Sequence, residues 1–232
     1  MRATCRQICF VLSVLAVLTA GLGAAWAQSG GTWTLQEEND RIANTDRHYT
    51  NGTRLGWVSD AKGEGDNPLI RDTLQFLYPL ANVRKGRIGF ALGHNIYTPE
   101  NTEATAAIGN DRPYAGWLYA AASLHSETEA VRPTVNWRQL DTVELQLGVV
   151  GPAALGKQVQ NTYHELIGVE TSKGWSNQLD NEPGVAVIME RKWRHRPMPV
   201  MGLQIDAIPH LGASLGNIYT ALNGGATIRF GQ

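Results

Sequence analysis

Asp141-Thr142-Val143-Glu144-Leu145-Gln146-Leu147-Gly148-Val149-Val150 sends every second side chain to the same side. Val143, Leu145, Leu147 and Val149 make a greasy face, and Thr142, Glu144, Gln146 and Gly148 make a polar one. A period of two is the repeat of a half-covered β-strand. The same alternation recurs in Trp33 to Asn39, Tyr49 to Ser59, Arg87 to Tyr97, Tyr114 to His125, Pro183 to Trp193, Val200 to Pro209 and Tyr219 to Phe230. About eight strands result, joined as antiparallel hairpins, and the fold class is all-β.

Pattern alone leaves open whether the greasy face is the core of a soluble sandwich or the lipid-facing side of a membrane barrel. Two features favour a transmembrane β-barrel. The polar face carries Glu144, Gln146, Gln204, Asp206 and Arg229 among Gly89, Ala91 and Gly93, as a hydrogen-bonded lumen would. Aromatic residues gather near strand ends, at Tyr49, Tyr97, Tyr114, Trp117, Trp175, Trp193 and Tyr219, where an interfacial girdle lies.

The wider chain has 232 residues, 43% hydrophobic, with a net charge of -1. That charge gives no electrostatic case for nucleic acid. Arg2 and Arg6 precede an apolar run from Ile8 to Ala25, and Ala25-Trp26-Ala27 has the small-x-small form of a cleavage site. Residues 1–27 therefore read as a secretory signal peptide, and 28–232 as one barrel domain. Both cysteines, Cys5 and Cys9, fall in the leader, so no disulfide or thiol chemistry is expected of the mature chain. Beyond the leader no apolar run reaches the length of a helical span, and closed sheets are the other structure that satisfies the backbone in lipid.

Hairpin parity puts the connections Asp40 to His48, Thr98 to Pro113, Gly151 to Glu182 and His210 to Ile218 at one end. Asp60 to Gly86, Ser126 to Arg138 and Arg194 to Pro199 fall at the other. Asn67 to Leu80 has the spacing of an amphipathic helix, read as a lid over its end or an interfacial rest. Leu155 to Ile167 also has helical spacing, in an extracellular loop, and stacks Gln160 and His164 on one face.

One end thus collects Asp40, Asn39, Thr50, Arg112, Gln160 and His164. These types suffice for a hydrolytic site, with His164 taking a proton from water and Gln160 or Thr50 facing the oxyanion. Each also has a plainer reading. Asn39 and Asp40 can end a strand with turn chemistry, Arg112 before Pro113 can cap a loop, and Gln160 and His164 can be solvated helix residues. His48, His94, His125 and His210 read as structural or solvated, and there is no His-Glu-x-x-His zinc motif.

Read in order, Glu38-Asn39-Asp40, Asp46 to Gly52, Asn95 to Pro99, Asp111 to Gly116, Gly148 to Pro152, Val159 to His164, Trp175 to Gln178 and Gly212 to Asn217 resemble the outer-membrane lipid A 3'-O-deacylase family. The resemblance implies a barrel of about twelve antiparallel strands in the bacterial outer membrane. It also implies hydrolysis of the ester-linked acyloxyacyl chain at the 3' position of lipid A, the lipopolysaccharide anchor, with calcium, by a mechanism similar to that of secreted phospholipases A2. On that resemblance His164 is the general base, Asp40 the essential acid, and Asn39, Thr50 and Gln160 line the site. Arg112 would contact substrate, while Asp40 and Glu170 would serve the metal.

Two departures accompany it. The family pattern continues for about four strands past Gln232, and the Thr98 to Asp111 loop has Glu100 and Glu103 but no lysine or arginine. The alternatives are a shortened, non-enzymatic outer-membrane barrel with a structural or binding role, and a soluble periplasmic barrel holding a lipid inside.

Overall fold

A computed structural model describes residues 30–39, 50–60, 68–80, 86–129, 137–195 and 197–231. The leader, Asp40 and Tyr49 lie outside the described residues, as does the side chain of Asn39. The elements are β1 (Gly31–Asn39), β2 (Asn51–Ser59), α1 (Pro68–Leu77), β3 (Arg87–Tyr97), β4 (Ala115–Glu129), β5 (Trp137–Val150), α2 (Gly156–Ile167), β6 (Glu182–His195), β7 (Met198–Val200), β8 (Leu203–Gly216) and β9 (Ala221–Gly231). They form one antiparallel nine-stranded sheet in which β1 to β6 are neighbours in chain order, β8 follows β6, and β7 and β9 both pair with β8. Among the described residues no pairing joins β1 to β9, so the sheet is an open arc of barrel wall.

Strand positions follow the alternation, with two differences. β8 runs through His210 to Gly216, where a loop is expected from His210 onward. Pro209, Gly212 and Gly216 imitate loop punctuation there, but Leu211, Ala213 and Leu215 keep the period of two. The ninth strand is the short β7, which pairs with the start of β8 across a turn at Met201 and Gly202, both with positive φ. Together they make a tight hairpin of the primed kind.

Register separates the two faces. Arg54, Gly93, Tyr119 and Gly148 are aligned partners on one face. There Arg54 makes a forked pair with Glu144, donating at 2.8 and 2.7 Å, Gln146 donates to Glu144 at 2.8 Å, and the Tyr219 hydroxyl donates to Gln146 at 2.6 Å. Asp206, on the same face, accepts from Arg194 and Arg229. This is the polar lumen side. The opposite side presents Trp33, Leu35, Leu92, Leu118, Leu147, Leu211, Leu215, Leu222 and Ile228, all exposed. A continuous exposed apolar wall opposite a hydrogen-bonded polar face is the signature of a lipid-facing surface.

The aromatic girdle needs correction. Tyr97 and Trp117 share the lumen-side parity of Gly93 and Tyr119, and Tyr219 bonds into the lumen network. Tyr114 and Trp175 are buried under the loops. Among the described members of that set only Trp193 keeps outward parity, because the others fill space under the loops or in the lumen.

Helix α1 settles its own two readings. It rests on the outward face, burying Leu74 and Tyr78 against Ile88, Leu124 and Val143. The buried Asp141 carboxylate holds it there, accepting from the Tyr78 hydroxyl at 3.2 Å and from Arg191 Nε at 2.6 Å. Leu69, Phe76 and Leu80 remain exposed. The helix rests on the outward face of the wall and is not a lid on the lumen.

Candidate functional site

The second helix is also seated on the outward face, at the opposite end of the wall. Gly116 of β4 permits the approach: a Cβ there would come to 3.0 Å from the Gly156 nitrogen and 3.1 Å from the Ala154 Cβ. His94 of β3 fixes the helix start, its ring Nε2 donating to the Ala154 carbonyl at 2.7 Å. Leu155 sits between the Pro152–Ala154 turn and α2 in a left-handed conformation, φ 60°, which swings the chain into the helix.

The far end of α2 sets up the imidazole. Gly168 adopts φ 71° and closes the helix, with its N–H and that of Val169 donating to the His164 carbonyl. Such left-handed caps favour glycine, which carries no Cβ. The chain then doubles back, and the Glu170 carbonyl accepts from His164 Nδ1 at 2.7 Å. A carbonyl can only accept, so Nδ1 carries the proton and the lone pair of a neutral ring is on Nε2.

One turn earlier, Gln160 is buried and its Oε1 accepts from Trp175 Nε1 at 2.8 Å. Trp175 packs on Tyr114 with centroids 4.9 Å apart, and the Tyr114 hydroxyl donates to the Thr102 carbonyl at 3.0 Å. With Oε1 taken, the Nε2 protons are what Gln160 has to offer a ligand. Thr50 enters from the wall, sharing a 2.7 Å hydrogen bond with the buried Thr98 hydroxyl.

Between wall and helix is a cleft of about 330 Å³ lined by Glu37, Thr50, Asn51, Thr53 and Ile96 from the wall side, Val159, Gln160, Tyr163 and His164 from α2, and Thr102, Glu103 and Val169 to Thr171 from loops. Thr50, Gln160, His164 and Glu170 are thus brought together. Glu170 takes part through its carbonyl, while its carboxylate is exposed and 3.7 Å from Lys173 Nζ. Arg112 is not brought in: it lines a neighbouring cleft of about 190 Å³ with Ile108, Asp111, Pro113 and Asn177. Asp40 and the Asn39 side chain lie outside the described residues.

A chain match places the molecule among known proteins. The family model described as "Outer membrane protein LpxR" matches residues 9–232. The chain belongs to this family. Among solved structures, LpxR from Salmonella typhimurium is similar, with 25% sequence identity and a TM-score of 0.58. The match covers 79% of this chain and 53% of that one, so this chain spans about half the length of that relative. No curated protein sequence matches it.

In this LpxR-family chain the sequence puts Glu37, within Glu37-Glu38-Asn39-Asp40, at the site end of the strands but gives it no role. Its carboxylate accepts from Asn51 Nδ2 at 2.5 Å and Thr53 Oγ1 at 2.6 Å on the floor of the cleft. The available signal was parity, because Glu37 follows Trp33 and Leu35 on the face turned to lipid, where an acid is costly without a task. The pattern Gly212-Ala213-Ser214-Leu215-Gly216 matches a serine-nucleophile elbow in letters, yet Ser214 is a buried mid-sheet residue paired with Ile188 and Ala221. It lacks the strand-to-helix turn that exposes such a serine.

Among the described residues no three His, Cys, Asp or Glu side chains converge as a metal site. The oxygen-bearing residue types that line the cleft, Glu37, Glu103, Thr50 and Asn51, are nevertheless of the kind that hard cations take.

Proposed function

We propose that this chain carries the acyl-ester hydrolase site of a lipid A 3'-O-deacylase, with water activated by His164. The observation that carries this reading is the carbonyl of Glu170 on His164 Nδ1, which leaves a basic Nε2 beside a cleft opening on the lipid-facing side of the wall. A substrate held in a leaflet could present its ester there without leaving the membrane.

In this reading His164 Nε2 removes a proton from water as the water oxygen bonds to the ester carbonyl carbon. The negative charge that builds on the carbonyl oxygen meets the Nε2 protons of Gln160 and the hydroxyl of Thr50. The resulting imidazolium returns its proton to the sugar oxygen as the C–O bond breaks, giving a free 3' hydroxyl and a released acyl carboxylate. The Glu170 carbonyl keeps the ring oriented through both transfers. Calcium would be held by Asp40 and Glu170 and, when bound, would polarise the ester carbonyl. Asn39 would line the pocket, and Arg112 would meet a polar part of the substrate beyond the 330 Å³ cleft.

The test is mass spectrometry of lipid A from cells with a competent outer membrane that express the full chain or its His164→Ala variant. Loss of the 3' acyloxyacyl mass with the former and its retention with the latter is expected. Unchanged lipid A with the intact chain refutes the reading. Chelation should block the reaction and added calcium, but not magnesium, restore it; activity that survives chelation removes the metal from the scheme.

A further inference from the structure

The outward wall carries a second depression that the chemistry above does not use. It measures about 250 Å³ and is lined by Trp33, Leu55, Trp57, Phe90, Leu92 and Ala120, among others, almost wholly apolar. Its floor is the Trp57 and Phe90 pair, with rings nearly parallel at 9° and centroids 6.3 Å apart. Trp57 is buried there, whereas Trp33 and Leu92 stand exposed at the edges.

Its position relative to the cleft gives it a meaning. Thr53 lines the cleft and Leu55 lines the groove; they are consecutive positions on one face of β2, about 7 Å apart. On β1, Glu37 lines the cleft and Trp33 the groove, on the same face. On β3, Ile96 belongs to the cleft and Leu92 to the groove. Three adjacent strands therefore carry one surface that changes from polar to apolar as it leaves the cleft. In the next strand Ala120 is aligned between Leu92 and Leu147, and Ala122 between Phe90 and Leu145. Small residues between large ones keep the wall low there.

We infer that this groove seats the hydrocarbon of the acyl chain whose ester lies in the His164 cleft, and that its depth at Ala120 sets which chain lengths are cleaved. The inference rests on the hydrolase reading. The occupant is the substrate's own chain and not bulk phospholipid, because the groove lies on the same face of the same three strands as the cleft, one same-face position beyond it on β2.

The first experiment uses the intact chain in phospholipid vesicles, with a trace of lipid A bearing a photoreactive diazirine near the end of its 3' acyl chain. Adducts at Trp57, Phe90 and Leu92, displaced by unlabelled lipid A and not by extra phospholipid, are expected. Adducts spread to Leu211 and Ile228, or equally displaced by phospholipid, overturn the proposal. The second compares hydrolysis of long-chain and short-chain esters by the intact chain and by Ala120→Leu, which fills the groove where its wall is low. The long-to-short rate ratio should fall by about tenfold or more; an unchanged ratio overturns the groove while leaving the hydrolase standing. If the intact chain cleaves neither ester yet the displaceable adducts form, the hydrolase reading fails and the groove survives as a lipid A binding site.

Discussion

His164 acquires its working tautomer from backbone geometry four to six residues downstream. Gly168 in its left-handed cap turns the chain so that the Glu170 carbonyl reaches Nδ1. Replacing Gly168 by a β-branched residue such as valine strains the cap by about 1 kcal/mol or more and loosens that carbonyl. The expected result for Gly168→Val is a fall in kcat with KM little changed, read on the lipid A deacylation assay, and full activity would show that the cap does not position the ring. Gln160 depends similarly on Trp175. Trp175→Phe keeps most of the packing but removes the indole donor, so the amide loses its orientation and kcat should drop about tenfold; restoration of activity by no other change than Gln160→Glu would contradict the donor role assigned to Nε2. Gln160 and His164 were legible as a pair because helical spacing is local. Glu170 was legible only as an acid, since the contribution described is its carbonyl, and no side-chain pattern announces a carbonyl.

At the scale of elements, both helices use the same physical solution, an anchor on the outward face of the wall. For α1 the anchor is Asp141, which the alternation of β5 places in line with Val143 and Leu145 on the greasy side. A buried carboxylate on that face is tolerable because Arg191 and Tyr78 both donate to it and Gln139 adds a third donor at 2.8 Å. Asp141→Ala removes the carboxylate that Tyr78, Gln139 and Arg191 share, and a lost hydrogen bond to a charged group costs about 1.5–3 kcal/mol. Faster proteolysis near α1, with the His164 site intact, is the outcome expected of limited digestion. For α2 the anchor is Gly116, and Gly116→Val should lift the helix start from the wall and lower deacylation. Digestion near α2 should quicken while α1 stays protected, and unaltered activity would mean that the helix does not need this seat. The helices themselves could be read from their spacing, but not the face on which they rest. A period of 3.6 reports that a helix has a greasy side, and here the covering surface comes from strands far away in the chain.

For the whole molecule, the alternation that reveals the strands also decides which side meets lipid, but only once a second observation tells the faces apart. The ion-paired face, with Arg54 on Glu144 and Arg194 and Arg229 on Asp206, supplies it. Charges of both signs satisfied by one another along one side leave the leucine-bearing side to the bilayer, which the sequence pattern by itself could not separate from the core of a sandwich. The assignment has a direct energetic consequence in neighbouring strands. Leu211 is exposed in the middle of β8 with outward parity, and Thr227 of β9 has the parity of Arg229, toward the lumen. Arginine at a lipid-facing site near the bilayer midplane costs about 2–4 kcal/mol, whereas a lumen position is wet and tolerates it. Leu211→Arg should therefore lower the unfolding free energy in lipid vesicles by that amount, measured by urea titration, and Thr227→Arg should change it by less than about 1 kcal/mol. Equal costs at the two sites would show that the outward wall does not face hydrocarbon, and the route by which a membrane lipid reaches His164 would close with it.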